Sequence, residues 1–127
     1  ILNTEPNSTK ANIDKGVTLQ NLEHISQAIQ MYKNVLNIEP ENIDALINMG
    51  SALHTLGKYT DAISYYNIVL RLDKKNILAL TYKGLSLGES GDISMAIKYF
   101  TKALSIDCDY DLAQISLNTA KKFMHSN

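Results

Sequence analysis

Three histidines, one cysteine and a pair of nearby aspartates are the residues of this chain most suited to chemistry. His24, His54 and His125 are scattered, and no HExxH or CxxC spacing joins any of them to a second metal ligand. Each is therefore expected to be structural or on the surface, and no metal or other cofactor is expected. Cys108 falls where a helix should end, between Asp107 and Asp109. Two carboxylates working as acid and base need a pocket that separates their pKa values, and nothing around this pair supplies one. Gly84 and Gly88 follow no strand-like run, so they do not form a phosphate loop. Arg71, Lys74 and Lys75 are too few for a nucleic-acid surface. The sequence offers no catalytic residue, and the expectation is that this chain is not an enzyme.

Composition narrows the class further. The chain has 127 residues, 45% of them hydrophobic, which is enough for a core. A net charge of −1 gives no general field to draw in nucleic acid or an anionic membrane. No run of eighteen apolar residues is present, so no membrane span is expected. The single Cys108 excludes an internal disulfide and fits a reducing, cytoplasmic setting. No signal peptide is legible at the start.

The elements that position these side chains are set by an internal repeat. Residues 43–76, shifted by 34 positions, fall on residues 77–110 without a gap. Gly50 lands on Gly84, Gly57 on Gly91, Ala62 on Ala96, Ile63 on Ile97, Tyr66 on Phe100 and Leu70 on Leu104. A preceding copy covers 9–42, and residues 1–8 match 35–42 well enough to be the end of a truncated upstream repeat. Residues 111–127 begin either a capping helix or a further repeat. Each copy reads as helix, tight turn, helix. Asn42 and Asn76 stand as N-caps of first helices, and Ser26, Thr60 and Ser94 as N-caps of second helices. Gly57 and Gly91 suit left-handed turns, whereas Glu23 stands at that position in the first copy. Ala28, Ile29, Tyr32, Val35, Leu36 and Ile38, with their equivalents ending in Leu72 and Ile106, form one apolar face per second helix. Gly16, Gly50 and Gly84 lie mid-way along first helices, where Gly costs about 1 kcal/mol relative to Ala. That cost implies close helix contact, with Ala28, Ala62 and Ala96 as the facing small residues. A period of 34 built from two helices means a stacked array, because one pair cannot bury its apolar face alone.

Gly50, Gly57, Tyr59, Ala62, Tyr66 and Val69, then Gly84, Gly91, Ile93, Ala96, Phe100 and Ala103, resemble the tetratricopeptide repeat. Pro6 and Pro40 stand at that family's helix-ending proline, while Lys74 and Cys108 depart from it and Leu46 and Leu80 replace its usual aromatic. The resemblance implies an all-α, right-handed superhelical solenoid of antiparallel helix pairs, whose first helices line a concave groove. It further implies a protein-interaction scaffold that binds a peptide or helix of a partner protein there. The groove register falls on Ile47, Asn48, Ser51 and His54 in the second copy and on Leu78, Tyr82 and Leu85 in the third. The same register also takes Asp44, Thr55, Thr81 and Glu89, the first copy adds Lys10, Ile13, Asp14, Val17 and Gln20, and Ile115 and Thr119 extend it. Ile47, Leu78, Tyr82 and Leu85 either make an apolar stripe for the partner or contact neighbouring helices. Asn48 has a donor and an acceptor with which to pair an extended backbone, or it simply faces solvent.

Two further roles stay open at this point: recruitment of substrate for an enzyme of which the array is a non-catalytic region, and end-to-end self-assembly into a homo-oligomer. Members of the family that clamp C-terminal carboxylates of chaperones share a basic, Asn-rich groove. Here those positions hold Ile13, Val17, Asn48, Leu78 and Tyr82, and only Asn48 matches. A peptide ending in Glu-Glu-Val-Asp is therefore expected to bind poorly. Gly50→Leu is expected to destabilise the fold by overpacking, and Gln20→Leu, in the groove, to be nearly silent.

Overall fold

A computed structural model describes residues 6–126, with side chains from residue 9 to residue 125. Seven helices fill these residues: α1 (Pro6–Asn21), α2 (Ile25–Ile38), α3 (Ile43–Thr55), α4 (Tyr59–Leu72), α5 (Ile77–Glu89), α6 (Ile93–Ile106) and α7 (Asp111–Ser126). The remnant of an upstream helix expected at 1–8 lies mostly outside the described residues. Pro6 is the first described residue of α1, and the helix end expected before it lies outside the described residues.

Each helix packs on the next, and α1, α3, α5 and α7 also touch one another in sequence. The even helices make no such contacts among themselves. The array is therefore closer-spaced on its odd-helix side, which becomes the concave wall, with α2, α4 and α6 outside.

The turns inside the repeats share one hydrogen-bonding pattern. Lys58 N–H donates to the Leu53 carbonyl and Gly57 N–H to that of His54, a Schellman ending with Gly57 at φ 79°. Gly91 repeats it at φ 104°, and Glu23 adopts the same left-handed backbone at φ 66°. This ending moves the next helix start forward. The N-caps are His24, Lys58 and Asp92, so Ser26, Thr60 and Ser94 lie inside the first turns and cap nothing. Only Asp92 of these three accepts a side-chain capping bond, from Met95 N–H at 3.2 Å. Asn42 and Asn76 cap as expected, accepting from Ala45 and Ala79 N–H at 2.9 Å.

Packing follows the repeat with one change. An added Cβ at Gly16 or Gly84 would come within 2.5 Å of the ring of Tyr32 or Phe100, and one at Gly50 would meet the Tyr66 ring as closely. The mid-helix glycines thus receive an aromatic ring, not the alanine expected to face them. Ala96 instead faces Gly88, where an added Cβ would sit 3.7 Å away. Ala28, Tyr32 and Val35, with Ala62, Tyr66, Val69, Ala96, Phe100 and Ala103, are buried as the apolar spacing requires. Ile38, Leu72 and Ile106 are exposed, because each is the last helical residue before the chain turns away at Glu39, Asp73 and Asp107.

Candidate functional site

The concave wall is where the residues expected to bind a partner fall, and the helices distribute them unevenly. Ile47 is 6% exposed, packed into the core with Ala79, so it offers a partner almost no surface. Ile13 and Thr81, one repeat either side, are buried at the same position, where adjoining odd helices meet. Asn48 is half-buried and Leu78 exposed. Ser51, His54, Tyr82 and Leu85 come together: with Thr55 and Tyr66 they line a cavity of about 190 Å³ between α3 and α5. Tyr82 leans on Tyr66, with ring centroids 6.0 Å apart at 58°.

Gln20 and His54 occupy equivalent positions and do equivalent work. The Tyr32 hydroxyl, fully buried, donates to Gln20 Oε1 at 2.9 Å, and Gln20 Nε2 donates to Ser51 Oγ at 3.1 Å. One repeat on, His54 Nδ1 pairs with Ser86 Oγ at 2.8 Å, and Ser86 is also a hydrogen-bonding neighbour of Tyr66. Burial lowers the pKa of His54 against the opposing pull of Glu89, so the ring is neutral at pH 7. Burial raises Tyr32 to about 12 and pushes Tyr66 up as well. Histidine, serine and a nearby glutamate superficially resemble a nucleophile with its base and orienting acid. Ser86 is 0% exposed and bound to structural partners, so no substrate reaches it. The cluster satisfies buried polar groups that would otherwise be costly.

A second, larger cavity of about 540 Å³ lies between α5 and α7. Its walls include Leu85, Gly88, Phe100, Ile115 and Phe123, with Glu89 at the rim. Leu85 lines both cavities, which makes them neighbours along the concave wall. Sequence reasoning placed Ile115 and Thr119 on the groove's extension but missed Phe123, Gly88 and Phe100. Shifting the α3–α5 lining by one repeat finds all but Phe123. Among the described residues, no three His, Cys, Asp or Glu side chains form a group able to hold a metal, and no helix is long and apolar enough to cross a membrane.

Tetratricopeptide repeat sequence profiles match residues 4–81 and 79–110. The chain belongs to the tetratricopeptide repeat family. Solved tetratricopeptide repeat (TPR) domains share the fold closely at low identity. The first TPR of Spaghetti (RPAP3), solved with the HSP90 peptide SRMEEVD, matches with a TM-score of 0.87 at 19% identity, over 95% of this chain and 96% of that one. The first TPR domain of human RPAP3 gives 0.89 at 20% identity over 96% of both chains. The Sgt2 TPR domain from Aspergillus fumigatus gives 0.88 at 22%, over 95% of this chain and 81% of that one. Comparison with curated proteins finds no match.

Proposed function

We propose that this chain is a protein-interaction scaffold whose concave wall holds a segment of a partner protein. The observation that carries the reading is the pair of adjoining cavities along the odd helices, with apolar Tyr82 and Leu85 beside Ser51 and His54. Large apolar side chains left partly open on a concave surface are the usual anchors of such binding. The similar domain of Spaghetti (RPAP3), solved with an HSP90 peptide, is a precedent for this fold. The ligand differs here, because the groove set of this chain lacks cations. Charges along the wall are sparse, so affinity rests on apolar contact and depends little on salt. Asn48, which makes no side-chain hydrogen bond among the described residues, is free to pair with the bound segment.

The test uses peptides selected for binding from a random displayed library, with affinity measured by fluorescence anisotropy. Tyr82→Ala should weaken them tenfold or more, at about 1.4 kcal/mol per decade, and Asn48→Ala somewhat less. Lys98→Ala, on the exposed face of α6, should change nothing. Loss with Lys98→Ala and none with Tyr82→Ala would move the binding face to the convex side.

A further inference from the structure

We propose that the notch between α5 and α7 is an anchor pocket for an amphipathic helix of a partner protein. A bulky apolar side chain of that helix enters the notch, and a Lys or Arg of the same helix sits against Glu89. The inference rests on the concave wall being the binding face and specifies what that face takes.

The notch occurs once per repeat, and its three copies differ in what fills them. Between α1 and α3 the filling side chain is Gln20, bonded to Tyr32 and Ser51. Between α3 and α5 it is His54, bonded to Ser86 beside Tyr66, leaving about 190 Å³. Between α5 and α7 the same register supplies Gly88 for His54, Phe100 for Tyr66, Ser116 for Tyr82 and Thr119 for Leu85, and about 540 Å³ is open. The filling side chain and the hydroxyl it served disappear together, so nothing polar is left unsatisfied by the opening. Leu85 stands where the previous notch has Ser51, which makes the wall more apolar. Phe123, 57% exposed, adds apolar surface on the α7 side, and Ile115 lines the same cavity. The volume lies within the roughly 300–1,000 Å³ range of pockets that hold ligands.

The walls choose the form of the occupant. The polar lining residues are Ser116, Thr119 and Glu89, and the Thr119 hydroxyl is already donated to the Ile115 carbonyl at 3.0 Å. An extended segment would bring backbone N–H and C=O groups against walls that cannot pair them, whereas a helix brings its own pairing. Ile115 and Phe123 lie eight residues apart on α7, about 12 Å at 1.5 Å per residue. A helix laid alongside would meet them with side chains at i, i+4 and i+7. Charge sets the last feature. Glu89 is the charged residue of the lining and lies in the final turn of α5, where the helix dipole disfavours an anion. Its electrostatic neighbour His54 is neutral, so the site is complementary to an incoming cation.

The experiment selects random 16-residue displayed peptides on the full chain and measures the recovered peptides by anisotropy and circular dichroism. The expected peptides become helical when bound and carry large apolar residues at i, i+4 and i+7 with a nearby Lys or Arg. Gly88→Gln, which restores the filling side chain of the first repeat, should weaken them tenfold or more without lowering Tm. Its Cβ meets only ordinary contact at Ala96, so folding is not at risk. Glu89→Lys should weaken basic peptides and favour acidic ones. If affinity survives Gly88→Gln and falls with Tyr82→Ala, the α5–α7 pocket is overturned and the concave wall stands. If only Lys98→Ala matters, both fall. Recovery of no peptide, or of Pro-containing extended ones, overturns the helix.

Discussion

Gln20 shows how a residue's assignment to a surface can hide its partner. Its register places it on the concave wall, and from the sequence alone Gln20→Leu looks harmless. The side chain in fact accepts the hydrogen bond of a fully buried tyrosine. Gln20→Leu should cost about 1–3 kcal/mol in urea melts, the usual penalty for a buried donor left unpaired. Adding Tyr32→Phe should recover most of that loss, since the third repeat already carries the matching Phe100 and Gly88. A neutral single substitution would contradict the assignment. Two ionisable groups extend the point to pH. His54 has a lowered folded pKa, so its stability contribution is present above the unfolded value of about 6.5 and is lost as pH falls through the folded one. Tyr32 is raised, so its contribution is present below about 10 and lost as pH rises toward about 12. Stability measured against pH should decline on both sides, with the acid slope flattened by His54→Gln and the alkaline slope flattened by Tyr32→Phe. Unchanged slopes would mean these groups do not feel the burial described.

At the scale of the helix pair, the turns carry most of the information. Gly57 and Gly91 mark their left-handed positions openly, whereas Glu23 holds the same conformation against its own preference. Glu23→Gly should therefore raise stability by about 1 kcal/mol, and Gly57→Ala should lower it by a similar amount, both read from thermal melts. Gly50→Leu should destabilise by roughly 1–3 kcal/mol or more, because the Tyr66 ring already occupies the space. A rise with Gly57→Ala, or a neutral Gly50→Leu, would mean the turn and ring contacts are misplaced. The period and the apolar spacing made the helices legible in the sequence. The second-helix caps were not, because the Schellman ending merges the close of one helix with the N-cap of the next. A hydroxyl two residues further on then looks like the cap.

The whole molecule is a curved stack, and its curvature follows from odd helices touching each other while even helices do not. The stacking of helix pairs was legible in the 34-residue period, whereas the curvature was implied only by the resemblance to the tetratricopeptide repeat. The lining of the candidate site was legible only in part. Register alone could not separate Ile47, sealed by α5, from Leu85, open on two cavities, because burial at an odd–odd contact depends on the neighbouring repeat. The same register argument makes a negative forecast. Calorimetry with a peptide ending in Glu-Glu-Val-Asp should detect no micromolar binding, since Ile13, Val17, Leu78 and Tyr82 offer its carboxylates no cation. Micromolar affinity would mean that charged groups outside this set reach the wall. The central claim, that the concave wall is the binding face, is tested most directly by photocrosslinking. A photoreactive amino acid would be placed at position 85 or at position 98, in extract of cells that naturally make the protein. The account predicts discrete adducts from position 85 and none from position 98; adducts from position 98 alone would contradict it.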